Sequence, residues 1–237
     1  MGCRSATVAS SSRPGRAERL GREFFDRPTA RVARELLGAV LTVRRSGTTR
    51  RVRLVETEAY VAHDPANHAA RGPTRRNRSM FGPPGTLYVY RIHQVVCANL
   101  VTRPAQAVLL RAGDPLGGWQ ANASGPGRLC RALRLTLDDD GIDTTRDGSL
   151  ALRPRLGPVG RIVVGPRVGL RQAADRPLRF VLAGEAAVSR PRPATWADPA
   201  IAASPRRSRA AGGSRQTRRR RRPPSGGGRN VARSAGR

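Results

Sequence analysis

The sequence predicts one mixed α/β domain, an α+β fold richer in strand than in helix, and three observations lead there. Short β-branched or aromatic runs recur between Gly/Pro/Ser punctuation, as in Val40–Val43, Leu87–Ile92 and Val108–Leu110. Helix signals are few, one opening at Pro28 and one at Gly125-Pro126. From Pro191 onward the composition changes to Arg, Pro, Gly, Ser and Ala. A chain of 237 residues is long enough to bury a core of ordinary size as one domain.

Residues 1–18 read as a disordered arm of Ser, Gly, Arg and Ala, and the domain covers 19–190, its body beginning near Leu20. After Asp26-Arg27-Pro28 a helix is expected, with Val32, Ala33, Leu36 and Leu37 on one side and Gly38 as the stop. Residues 39–44 and 50–60 form a hairpin around Ser46-Gly47. Further strands are expected over Thr86–Ile92, Val95–Val101 and Ala107–Ala112. A second helix carries Leu129, Ala132 and Leu133, followed by an acidic loop over Asp138–Asp147. Strands over Arg161–Val164 and Pro177–Val188 complete the domain. Residues 191–237 hold 13 Arg against the single acid Asp198, and such a stretch cannot bury enough apolar surface to order itself.

Charge narrows the function. The formal net charge is +29, and all 45 basic residues are arginine. Arginine's planar fork suits bidentate phosphate contacts, so a polyanion is the expected partner. The absence of lysine has a chemical consequence: no side-chain amine can form a Schiff base. Cys3, Cys97 and Cys130 are lone and odd in number, as reduced thiols are, and His63, His68 and His93 lack the companions of a metal cluster. Neither a signal-peptide h-region nor a bilayer-spanning run is present, so no membrane role and a cytoplasmic location are expected.

Residues 54–90, LVETEAYVAHDPANHAARGPTRRNRSMFGPPGTLYVY, concentrate the chemistry. Alternation along the strand puts Val52, Leu54, Glu56, Glu58 and Tyr60 on one face. Two carboxylates continuing an apolar face need a partner or a purpose, and their proximity would raise the pKa of one of them. They read either as a working pair or as acids at a solvated strand end facing arginines. Tyr88 and Tyr90 share a strand face and could serve a core as well as a site. Arg111 ends the apolar Val108-Leu109-Leu110 and so requires an anion, whether protein carboxylate or phosphate. Asn99 is a polar group in a run that reads as buried.

The ordered set EAY, a His ten residues after the Glu, RGPTRRN, MFGPPGTLYVY, CANLV, AVLLRAGDPL, GPGRLCRAL and VGPRVGL resembles the alkyladenine (3-methyladenine) DNA glycosylase family over about residues 20–190. The resemblance implies a single compact domain with a curved antiparallel sheet flanked by helices. It also implies excision of alkylated or deaminated purines from double-stranded DNA without a cofactor, leaving an abasic site, by a monomer associated with the bacterial nucleoid while acting. By the same resemblance Glu58 is the general base and Arg111 holds the flipped nucleotide and the attacking water. Tyr60, His68 and Tyr90 would enclose the base, and Asn99 at the pocket floor would disfavour the exocyclic amine of guanine. The family's segment after YVY contains a Tyr-Gly pair whose Tyr wedges into the duplex. Here the chain reads Tyr90-Arg91-Ile92-His93-Gln94-Val95-Val96-Cys97, one residue shorter, with His93 nearest that intercalating position. The departure implies weaker flipping, and an alternative follows from it: a catalytically weak or inactive damage-binding protein on the same scaffold.

Overall fold

A thirteen-residue strand that serves two neighbours along one edge organises the domain. The computed structural model describes residues 19–146 and 148–192. Strands β1 (Val40–Arg45) and β2 (Thr48–Tyr60) form the expected hairpin, closed by Ser46 and Gly47 at φ 45° and 74°. Two successive left-handed residues match the twist of the flanking strands, which is why a Ser-Gly pair sits there. Strands β3 (Leu87–Ile92), β4 (Val95–Val101) and β5 (Ala107–Leu116) follow, then β6 (Leu150–Arg153), β7 (Ile162–Gly165) and β8 (Arg179–Leu182). The eight strands make one antiparallel sheet in the order β3-β4-β5-β2-β1-β6, with β8 on β2 and β7 on β8.

β2 pairs with β5 along one edge, while its other edge takes β1 up to Arg53 and then β8 from Glu56 to Glu58. The exchange of partners coincides with two bulges. Val55 is the extra residue on β2 and Arg111 the extra residue on β5. Bulges bend a strand and re-aim a side chain, so the sheet curls around the point where the acids sit. They also correct the expected alternation. Val52 and Leu54 do not simply continue the face of the acids, because Leu54 and Val55 both enter the main core and residues 54–59 are buried without a break.

Two helices pack on the frame as expected. Helix α2 (Thr29–Glu35) buries Val32 and Ala33, and Leu36 and Leu37 follow in its closing turn before Gly38 at φ 85°. Helix α3 (Pro126–Leu133) buries Leu129, Cys130, Ala132 and Leu133, and ends on Arg134 in the left-handed region. A four-residue helix, α1 (Arg22–Phe25), was not expected; Phe25 inserts fully into the core from a segment too short for periodicity to reveal. β6 was missed for the same reason. β5 extends past Ala112 to Leu116 because Asp114 and Pro115 still face Arg53 and Val52 across the ladder. The last strand is shorter than Pro177–Val188, since Ala183-Gly184 turns the chain with Gly184 at φ 83°. The acidic segment opens with a 3₁₀ turn, Leu137–Asp139, capped reciprocally by Thr136 and Asp139; Asp147 lies outside the described residues.

The described residues fall in one compact unit. The arm expected over 1–18 and the tail beyond Arg192 lie outside them. Among the described residues no helix is long and apolar enough to cross a membrane.

The long connection from Val61 to Thr86 folds back over the end of β2 and is held by polar side chains that satisfy its backbone. Asn67 donates to Val61 O at 2.9 Å and Ala105 O at 2.8 Å. Asn77 donates to His68 O at 2.9 Å and Gly72 O at 3.1 Å, and accepts from Thr74 N at 2.6 Å. The four exposed arginines of this loop, Arg71, Arg75, Arg76 and Arg78, are thereby carried on a cross-tied segment.

Candidate active site

Both acids of the ETE motif are fully buried, and their surroundings differ. Glu56 accepts from Arg111 Nε at 2.7 Å, Arg179 Nε at 2.8 Å, Ser189 Oγ at 2.9 Å and Ser189 N at 2.7 Å. All four partners are donors, so the group is saturated as a carboxylate. Glu58 accepts from Val168 N at 2.8 Å and Tyr60 Oη at 3.1 Å, and its Oε1 lies 3.4 Å from Arg111 Nη1. It keeps acceptor capacity for one more donor. Burial pushes the Glu58 carboxyl above the usual carboxylate range, against the opposing pull of Arg111, the Val168 amide and the Tyr60 hydroxyl. A carboxylate held this way is a stronger base than one in water.

Beside Glu58 opens a cavity of about 270 Å³ whose wall includes Tyr60, Arg111 and Val168, the three groups that contact the acid. His68, Tyr88, Tyr90, Cys97 and Asn99 complete its inner surface. Tyr88 and Tyr90 stack with centroids 5.4 Å apart, and the His68 ring stands edge-on to Tyr90 at 4.2 Å. His68 Nδ1 pairs with Tyr88 Oη at 3.2 Å. Burial lowers the His68 pKa, which keeps the imidazole neutral at physiological pH, and raises those of Tyr60 and Tyr90, which stay protonated. The aromatic lining is therefore uncharged and electron-rich. Asn99 Nδ2 donates to Tyr88 O at 3.1 Å, so the neighbouring strand fixes its amide.

The structure thus gathers Glu58, Tyr60, His68, Tyr90, Asn99 and Arg111 within one site from β2, the 61–86 connection, β3, β4 and β5. His93 is at its mouth. It is the first residue of the two-residue turn joining β3 to β4, at φ 51°, and it lines the cavity with Ile92 and Val95. Ile92 and Val95, both exposed, make the hairpin tip apolar. The shortened segment therefore closes as a tight hairpin beside the opening. Tyr88 proves to be core and site at once, since it is buried yet hydrogen-bonds His68. The anion that Arg111 requires is protein carboxylate, Glu56 above all.

Several members of the site carried no signal of their role in the sequence. Val168 lines the cavity and donates its amide to Glu58, a bond that any residue but proline could supply. Arg179 and Ser189 meet Glu56 through sheet topology 123 and 133 residues away along the chain. The buried pair Asp64–Arg167 backs the pocket: Arg167 Nη2 donates to Asp64 Oδ1 at 3.1 Å, Nη1 also bonds Asp64, and the guanidinium lies 4.7 Å from the Tyr60 ring centroid. Nothing marked Asp64 as buried or set Arg167 apart among so many arginines.

A second depression, lined by Trp119, Ser124, Arg128, Arg131 and Arg190, meets the cavity at Val95, Arg111 and Pro126, which line both. Among the described residues that line it, the one carboxylate is Asp114, 3.3 Å from Arg53. A buried basic carboxylate, a neutral aromatic slot of heterocycle size and an arginine-lined groove running out of it define a class of protein: an enzyme that acts on one base of a nucleic acid strand.

Comparison with known proteins gives the particular family. The methylpurine-DNA glycosylase profile matches residues 23–186. A protein of Methanoculleus marisnigri named "Putative 3-methyladenine DNA glycosylase" is 46% identical over 188 residues, covering 70% of this chain and 96% of that one. Proteins of the same name from Anaeromyxobacter sp. and Rhodopirellula baltica are 47% identical over 187 residues and 41% over 198. These alignments cover 75% and 74% of this chain, and 95% and 84% of the relatives. The chain belongs to the methylpurine-DNA glycosylase family. It is a DNA glycosylase, a hydrolase of N-glycosyl bonds acting in base-excision repair.

Proposed function

We propose that the enzyme is a monofunctional glycosylase, acting as a cytoplasmic monomer without a cofactor. It flips an alkylated or deaminated purine of the 3-methyladenine, 7-methylguanine or hypoxanthine type out of duplex DNA and hydrolyses its glycosidic bond. The observation that carries this reading is Glu58, a fully buried carboxylate hydrogen-bonded to two of the groups that line the cavity. Glu58 takes a proton from water as the water oxygen bonds to the anomeric carbon, and the base leaves with the electrons of the broken C–N bond. A cationic alkylpurine leaves as the neutral base. The negative charge of Glu58 favours the oxocarbenium-like sugar on the way, and Arg111 Nη1 is placed to hold the water or the sugar phosphate.

Tyr60, Tyr90 and His68 receive the base, and cation–π attraction favours a cationic one by about 0.5–2 kcal/mol per ring face. The amide of Asn99 limits what fits at the floor, because an unpaired polar group against the wrong base costs affinity. His93, with Ile92 and Val95, fills the gap left by the flipped nucleotide. An imidazole on a two-residue turn covers less base surface than a phenol, so lesions in mismatched or weakened pairs are the better substrates. Incubating the full chain with duplexes containing 3-methyladenine or hypoxanthine, then cleaving abasic sites with alkali, tests the reading. Tight lesion binding with no abasic product would move the protein to the damage-binding alternative.

Two outcomes follow from the arginine-only composition. With no side-chain amine to attack the sugar, borohydride should trap no side-chain adduct, and the abasic strand should remain unbroken before alkali. Efficient borohydride cross-linking with nicking would rule out the water mechanism. The groove arginines should set part of the salt dependence. Replacing Arg128, Arg131 and Arg190 by Gln should flatten the slope of log K against log[salt] on undamaged duplex by about 0.9 for each phosphate that is no longer neutralised. The same number of changes at Arg34, Arg44 and Arg155, outside the groove, should flatten it less. Equal effects from the two sets would remove the groove from the DNA path.

A further inference from the structure

Glu56 is a buried titratable group for which the proposed chemistry has no use, yet it holds more hydrogen bonds than Glu58. Its partners come from three places: Arg111 from β5, Arg179 from β8, and Ser189 from the segment after β8. The same segment is bound a second time, because Arg179 donates to Ser189 O at 3.0 Å and to Pro191 O at 2.7 Å. Ser124 Oγ reaches Val188 O at 3.3 Å from the other side. Ser189 lies just past residue 186, the last one that the family profile matches.

The Ser189 hydroxyl is a relay. It donates to Glu56 Oε1 at 2.9 Å and accepts from Arg111 Nη2 at 3.0 Å, which uses its one proton and one lone pair. Arg111 is thereby fixed along one edge, Nε on Glu56 and Nη2 on Ser189. Its remaining nitrogen, Nη1, is turned to Glu58 and the cavity. A guanidinium has a fork of fixed shape, so pinning two nitrogens determines where the third points.

We propose that Glu56 and Ser189 are positioning residues that aim Arg111 Nη1 at the reaction centre, and that the segment around Ser189 is therefore part of the active site. Resting on the base-excision reading above, this inference assigns the first acid of the ETE motif a role distinct from that of the second. The charges balance only with the whole set in place: two carboxylates, Glu56 and Glu58, against two guanidiniums, Arg111 and Arg179. Without the Ser189 hydroxyl, Arg111 Nη2 loses its acceptor, and the guanidinium is pinned to Glu56 through Nε alone. One point of attachment leaves the planar fork free to turn, so Nη1 loses its fixed aim at Glu58 and the cavity. Tyr60 on β2 and the Val168 amide already occupy the other approaches to Glu58, so the loss is not made good from elsewhere.

The test is Ser189→Ala in the full chain, read by single-turnover excision on saturating lesion duplex, alone and combined with Arg111→Gln. Misplacement of a reacting group by about 1 Å can cost about 10²-fold, so Ser189→Ala should slow excision by about 10–10²-fold. Its melting temperature should fall only by what the two lost buried hydrogen bonds contribute, and its affinity for undamaged DNA should stay near that of the parent. In the Arg111→Gln background the same change should have no further effect, because residues acting through one another are not additive. A Ser189→Ala protein that excises at the parental rate would overturn the proposal. So would an equal additional loss in the Arg111→Gln background, since a general loosening of the fold acts whether or not Arg111 is present. A parent that excises nothing would instead count against the base-excision reading itself.

Discussion

Glu58→Gln is expected to slow excision by about 10²–10⁴-fold, the usual cost of removing a positioned general base, with lesion binding retained. The amide keeps the volume of the side chain and can still accept from Val168 N, so the pocket survives. It cannot take a proton from water. The sign of the pH dependence follows from the environment. Burial raises the Glu58 pKa, and the reaction needs the ionised form, so parental activity should fall with decreasing pH at a point above the usual carboxylate range. That acid limb should disappear in whatever residual activity the Gln variant keeps. Glu56→Gln should behave differently. Its NH₂ group would confront donors on every side, so a lowered melting temperature should accompany any loss of rate. If Glu58→Gln excises within a few-fold of the parent while folded Glu56→Gln is inactive, the roles of the two acids are reversed.

Arg167→Met should destabilise the domain by about 3–5 kcal/mol, the cost of breaking a buried ion pair from one side. Both members are buried, and the Asp64 carboxylate would be left with the Ala66 amide at 3.1 Å as its remaining partner. The guanidinium also bonds Ala59 O at 3.1 Å and covers Tyr60, so the end of β2 loosens with it. Removing both charges, Asp64→Asn with Arg167→Met, should cost less than Arg167→Met alone, since no ion is then left uncompensated. Urea denaturation of the three proteins checks the order. A loss below about 1 kcal/mol for Arg167→Met would show that water reaches Asp64 and that the pair does not anchor the connection over the pocket.

How far the sequence reached depended on whether the signal was local. Strand β4 was delimited to the residue, because its apolar run is bounded by a tight turn and by Thr102-Arg103-Pro104. The β1–β2 hairpin followed from Ser46-Gly47, whose conformation few other pairs adopt without strain. Helix α2 was legible from Pro28 at its entry and Gly38 at its exit. α1 and β6, four residues each, have no period to read, and only the core they fill makes them ordered.

The chemical types of the site were also written in the sequence: two acids on one strand, aromatics two residues apart, an arginine ending an apolar strand. What the two acids do was not, because period-two alternation treats Glu56 and Glu58 alike. The tertiary structure separates them. A bulge at Arg111 and the change of partner from β1 to β8 surround Glu56 with donors, while Glu58 faces a cavity with acceptor capacity to spare. Residue type and spacing are properties of the chain, and they determined the domain, its charge and the inventory of groups. Which carboxylate is saturated and which stays available depends on hydrogen-bond partners more than a hundred residues away, and only the packed sheet brings those partners within reach.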